Sequence, residues 1–243
     1  MKIKKGIKSM TGVSTKSGRE GNIFCKLEII SLNSLGSEFK VILQPEIPGI
    51  EAKVRNFLEK NLKDGKFIVK INFPETGLRF KINENLIKDI KLKSKKNLLF
   101  TIDPFKIPGL VKFIYPEKRI WILLKRLLKK ALIELEEKRL KEGEEIKKAI
   151  EREIKKIGFN LEKMNGEKIN EEIVRIGSHI KSIMRILKNK DGPWGKKLDF
   201  YGQEILKEAN TISQKTEDLK VINSAIKIKE SALNIRELAR NLV

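Results

Sequence analysis

Cysteine is almost missing from this sequence, and the shortage narrows the chemistry at once. Cys25 stands alone, so the chain has no intrachain disulfide and no zinc site of the multi-cysteine type. Histidine is equally scarce: His179 is the only one, which excludes a two-histidine acid–base pair within one chain. No stretch of about 18 uncharged apolar residues occurs, which excludes a transmembrane helix. The opening Met1-Lys2-Ile3-Lys4-Lys5-Gly6 leads into no long apolar run, so a secretory signal is not expected and the cytoplasm is the expected compartment. There is no glycine loop ending in Gly-Lys-Ser/Thr, no Gly-x-Gly-x-x-Gly after a strand and no zinc-binding pair of histidines on a helix. The ATPase, dehydrogenase and metalloprotease classes drop out.

What is abundant is positive charge. Lys and Arg number 53 against 32 Asp and Glu, a net of +21. Residues 1–120 hold 25 basic and 12 acidic side chains and the remainder 28 and 20, so no single tail carries the excess. A chain charged in this way attracts polyanions, in a salt-dependent manner. A Lys/Glu-rich surface of thermophilic type accounts for the abundance of lysine, but less easily for the lopsided sum.

The apolar residues recur with strand and helix periods, so the chain reads as folded. Residues 23–30 alternate loosely, with Ile23, Cys25, Leu27 and Ile29 on one side, and Phe39 to Leu43 form a second β-type run. After Pro45 and Pro48 the spacing turns helical through Ile50, Val54, Phe57 and Leu58, and Asp64-Gly65 ends that helix. A strand follows with apolar residues at 67, 69, 71 and 73, then a turn at 74–77, with a hairpin into 78–82 as one continuation. Residues 84–116 give no clear pattern, although Lys88, Lys91, Lys93, Lys95 and Lys96 form a basic cluster suited to phosphate. Beyond Pro116 everything reads as helix: Trp121 to Leu135, a weaker resumption after Gly143, a break at 158–166, then helices near 167–188, 195–211 and 216–241. The expected fold class is α+β, with an N-terminal mixed domain at 1–116 and an all-helical region at 117–243.

The densest polar pattern follows Pro193. On a helical wheel Leu198, Tyr201, Ile205, Ala209 and Ile212 share one face. The other side carries Lys196, Lys197, Asp199, Gln203, Glu204, Lys207 and Glu208, with Phe200 among them. Glu204 and Glu208 stand one turn apart, a spacing at which two carboxylates share a hard divalent cation. The neighbouring lysines suit phosphates, and Phe200 offers a ring on which a base stacks. The ordinary reading is a solvated helical face, with Phe200 packed under a neighbour. Asp199 lies about 180° from Glu208, so one helix does not bring all three carboxylates to one ion. His179 sits at the edge of the apolar stripe of its own helix, either as a boundary residue or as an acid–base group.

These residues resemble a known family. Lys8-Ser9-Met10-Thr11-Gly12, Ser31-Leu32-Asn33, Pro45 with Glu51 and Val54-Arg55, and Gly65-Lys66 are similar to the N-terminal part of YicC-type proteins. Gly195 to Phe200, Gln203-Glu204, Glu208-Ala209-Asn210-Thr211-Ile212 and Lys215 resemble the family's C-terminal block, which covers about 167–243, and Ser178-His179 and Arg236-Glu237 also fit. The resemblance implies an endoribonuclease, dependent on a divalent cation such as Mg or Mn, acting on RNA as a ring-forming homo-oligomer, a hexamer. Carried onto this chain, it implicates His179, Asp199, Glu204 and Glu208 in catalysis and Glu204 with Glu208 at the metal. Lys196, Lys197, Phe200, Gln203, Asn210 and Lys215 are the expected RNA contacts. The chain departs from the family pattern at Ser34-Leu35-Gly36, where relatives carry a basic and an aromatic residue, and at Asp64, where an Arg is usual. It is also shorter between Gly143 and Glu171. The alternative is an RNA-binding or scaffold protein without catalysis.

Overall fold

A computed structural model describes residues 6–34, 36–63, 65–74, 79–93, 107–114, 116–189 and 192–243. The fold is α+β: a four-stranded mixed sheet with its helices, followed by a helical region. Strands β1 (Gly12–Glu20), β2 (Ile23–Leu32), β3 (Ser37–Gln44) and β4 (Gly65–Asn72) lie in the order β1-β2-β4-β3. The β1–β2 and β2–β4 pairs are antiparallel, and β3 pairs with β4 in parallel through the crossover helix α1 (Ile50–Asn61).

Alternation sets the two faces. Cys25, Leu27 and Ile29 of β2 and Phe67, Val69 and Ile71 of β4 are buried under α1 and the long helix α3 (Glu117–Leu161). The opposite face pairs Lys70 with Glu28 at 3.0 Å and Lys66 with Glu38 at 3.0 Å. β1 has no apolar alternation, which hid it from the sequence reading. Its inward positions are instead small: a Cβ at Gly12 would come within 3.0 Å of Leu135 Cδ1, and one at Gly18 within 3.0 Å of Leu127 Cδ2. Ser14, between them, is fully buried and donates to Glu134 at 3.1 Å. Glu134 also bonds Lys138 and Lys16, and these partners, Lys138 first, pull its carboxyl down to about 2.

The expected hairpin from β4 into 78–82 is not formed, because β2 and β3 occupy both edges of β4. β5 (Arg79–Ile82) pairs instead with β6 (Val111–Ile114), antiparallel, with α2 (Glu84–Lys93) between them in sequence. This gives regular structure to part of the stretch at 84–116 that has no legible pattern. Lys88 lies on α2, whereas Lys95, Lys96, Asp64 and the turn residues 75–77 fall outside the described residues.

α3 serves both cores. Ile120 through Leu135 pack on the sheet, while Ile150, Ile154 and Ile157 pack with α4 (Asn170–Lys188), α5 (Gly195–Lys215) and α6 (Leu219–Ala239). The helix runs unbroken through Gly143 and Gly158, and the break falls only after Leu161. Gly143 is there for packing: a Cβ would stand 2.2 Å from the Ile7 carbonyl oxygen.

The motifs at 8–12 and 31–33 form a joint. Ser9 donates to the Arg139 carbonyl at 2.9 Å, and Arg139 Nε returns a bond to the Ser9 carbonyl at 2.6 Å. Met10 N–H reaches the Asn241 carbonyl at 2.8 Å, and Asn33 Nδ2 reaches that of Arg240 at 2.8 Å. The first described residues and the last ones are thereby tied to the middle of α3. No helix among the described residues is long and apolar enough to cross a membrane.

Candidate active site

α4 and α5 form an antiparallel hairpin, and the order of their contacts shows it. His179 faces Tyr201 with ring centroids 5.8 Å apart, Arg175 meets Glu208 at 3.5 Å, and Lys215 meets Glu172 at 2.6 Å. The hairpin turn is plugged by Trp194, which is buried and donates its indole N–H to the Asn189 carbonyl at 3.1 Å. Against α6, α5 lies close because two of its residues lack side chains. A Cβ at Gly195 would come within 2.5 Å of the Leu242 carbonyl oxygen, and one at Gly202 within 2.6 Å of Arg236 Cγ.

At the turn end of the hairpin a cavity of about 490 Å³ opens, lined by Ser182, Arg185 and Ile186 from α4 and Lys196, Lys197, Phe200 and Tyr201 from α5. Phe200 is 57% exposed and meets Tyr201 edge-on at 5.3 Å, so its face is not packed under a helix. No carboxylate among the described residues lies within ion-pair distance of Arg185, Lys196 or Lys197. Three uncompensated cations and an exposed ring around one hollow suit a phosphodiester with its base.

The other nominated residues divide between open and closed positions. Glu204 is half-buried and has no ion-pair partner among the described residues, and Gln203 and Asn210 are exposed. Asp199 is held by Arg236 of α6, whose Nε stands 3.0 Å from its carboxylate. Glu208 is only 6% exposed and faces Arg175. Lys215 spends its charge on Glu172, which is 2% exposed, and this partner holds the Glu172 carboxyl below its ordinary range. The 180° separation of Asp199 and Glu208 on one helix thus sends them to opposite neighbours, α6 and α4.

The nominated metal pair does not form a cage. Glu208 is already occupied by Arg175, and no group of three His, Cys, Asp or Glu side chains that could hold a metal ion occurs among the described residues.

Ser182, Arg185 and Arg175 were not nominated from sequence. Arg185 carried a signal: no acidic residue stands three or four positions from it on either side, so no local ion pair explains it.

The molecule is thus an α+β protein in which one long helix joins a mixed sheet to a helical hairpin carrying a basic, aromatic hollow. Within that class the chain belongs to the YicC-like family. Residues 7–148 match the family described as "Endoribonuclease YicC-like, N-terminal region", and residues 119–243 match "Endoribonuclease YicC-like, C-terminal". The two matches overlap along α3, the helix both cores share. A protein of Clostridioides difficile (strain 630) named "Probable endoribonuclease YicC" is 28% identical over 291 residues, covering 96% of this chain and 99% of that protein. A Haemophilus influenzae protein of the same name is 36% identical over 74 residues, covering 30% of this chain and 25% of its own length.

Proposed function

We propose that this chain is an endoribonuclease and that the scissile phosphate lies in the hollow between Arg185, Lys196 and Lys197. The observation that carries the reading is this cluster of cations with no carboxylate partner among the described residues, set beside an exposed ring. Cations aimed at the phosphoryl oxygens stabilise the charge that builds as the phosphorus becomes five-coordinate. Phe200 stacks a neighbouring base and fixes the strand in the hollow. Proton transfer falls to His179, one turn along α4 from Ser182, and to Glu204, one turn along α5 from Phe200 and Tyr201. One takes the proton of the attacking hydroxyl, and the other returns a proton to the departing oxygen.

Divalent-cation dependence belongs to the proposal through Glu204, the nominated metal carboxylate left open; magnesium is commonly held by one or two carboxylates together with substrate phosphates. Homo-oligomer formation belongs to it too, with a cytoplasmic location. Leu219, Ile226 and Leu233 are exposed and recur every seven residues along α6, a spacing suited to helix-on-helix contact between copies.

A binding or scaffold protein without catalysis is the second reading. It is favoured by the ion pairs of Asp199 and Glu208, which give two of the nominated carboxylates structural work. End-labelled single-stranded RNA incubated with the protein, with added Mg or Mn and with chelator, separates the two. The expected result is internal cleavage that His179→Ala and Glu204→Ala each reduce by about 10²-fold or more while binding persists. RNA that is bound and uncut under every condition supports the second reading.

A further inference from the structure

The two halves of α3 differ in charge, and the difference points to a second surface. From Glu117 to Ile133 the helix carries six basic residues and one acidic; from Glu134 to Leu161 it carries eight of each. In the later stretch lysines find carboxylates one turn away: Lys138 with Glu134 at 2.7 Å, Lys148 with Glu145 at 3.2 Å and Lys156 with Glu153 at 2.7 Å. In the earlier stretch the one carboxylate, Glu117, is already engaged by Lys53 at 3.5 Å. Lys125 and Lys129, and Arg126 and Lys130, stand four residues apart, a like-charge spacing that weakens a helix.

A surface enriched in Lys and Glu for stability would pair these charges, as the second half of the same helix does. The first half leaves Lys125, Lys129 and Lys130 without a described carboxylate partner. Lys125, Arg126, Lys129 and Lys130 line a shallow hollow of about 510 Å³ around Ile122, which is 56% exposed. Arg126 is fixed at one side by the Arg19 carbonyl at 2.8 Å and Glu20 at 3.3 Å. No described carboxylate pairs with Lys125, Lys129 or Lys130. The buried face of this half packs on the sheet, so the cations are held outward on a rigid element.

We infer that this face of α3 is a separate track for the RNA sugar–phosphate backbone, remote in sequence from the α4–α5 hollow. It holds the strand without cutting it. The inference rests on the RNA reading above but not on catalysis. Single-stranded RNA approaching this face exchanges its condensed counterions for fixed lysines, whatever its sequence.

The test compares Lys129→Gln/Lys130→Gln with the charge-matched Lys147→Gln/Lys148→Gln, whose lysines are both ion-paired. Binding of a 30-nucleotide single-stranded RNA is titrated at several salt concentrations, and cutting of an 8-nucleotide RNA is followed in parallel. The expected slope of log affinity against log salt shrinks by about 1.4 in the first variant and stays at the wild-type value in the second. Cutting of the short RNA is unchanged in both. Equal slopes in the first variant and the wild type overturn the track, even where the protein cuts RNA. A reduced slope in a protein that never cuts RNA sustains the track and defeats the catalytic reading instead.

Discussion

The two ends of the α4–α5 hairpin hold similar residues to opposite effect. Near the turn, Arg185, Lys196 and Lys197 stand around a hollow with no acidic partner among the described residues. Near the far end, Arg175 and Lys215 are consumed by Glu171, Glu208 and Glu172, and two of those carboxylates are buried. Residue type alone does not separate them: Lys196 and Lys215 belong to the same helix and the same family block. Position in the hairpin register does. An ion pair with one partner buried fastens the two helices, whereas on the proposed reading a cation left bare at the turn meets an anion from outside.

The largest effect that sharpens this contrast is on stability. Lys215→Ala leaves Glu172 buried with neither carboxylate oxygen bonded to a cation, because its Oε2 already lacks a partner. With the Lys215 side chain 43% exposed, water replaces part of the interaction, so the loss is about 1–3 kcal/mol. Urea unfolding measures it; a variant as stable as the parent would break the distinction between the two ends.

A smaller effect comes with pH. Glu172 has a carboxyl lowered by Lys215, so it contributes stability above the unfolded value of 4.5 and loses it as the pH falls through its lower folded value. Thermal melts between pH 6 and pH 3 should therefore show a steeper acid decline for the parent than for Lys215→Ala, which has lost that contribution already. Parallel declines would mean that the pair does not set the acid limb.

Much of the fold was legible where burial is one-sided. β2, β4 and α1 follow from alternation and from the Ile50, Val54, Leu58 spacing, all of them buried as expected. β1 was hidden because its inward positions are Gly12, Ser14 and Gly18, which make room for α3 and leave no hydrophobic alternation. The continuity of α3 was hidden for a related reason: Gly143 reads as a break but is the place where the Ile7 segment crosses the helix.

The candidate site divides in the same way. The polar face of α5 was legible from a wheel, and the openness of Lys196, Lys197 and Phe200 agrees with it. What lies opposite each residue depends on helix register, which one helix does not encode. Arg236 beside Asp199 and Arg175 beside Glu208 therefore came only with the fold, as did Ser182 and Arg185 in the hollow. Glu208 shows the limit of the wheel: it lies toward the polar side yet is buried, because α4 covers that flank.

The central claim is that the bare cations at the turn, not the paired ones at the far end, meet the reacting phosphate. Cleavage of a labelled single-stranded RNA by Lys196→Gln/Lys197→Gln and by Lys215→Gln, each checked for folding and compared with the parent, tests it most directly. The account predicts roughly a 10²-fold loss of cutting rate for the double variant and a near-parental rate for Lys215→Gln. A parental rate in the double variant, or a comparable loss in a folded Lys215→Gln, would contradict it.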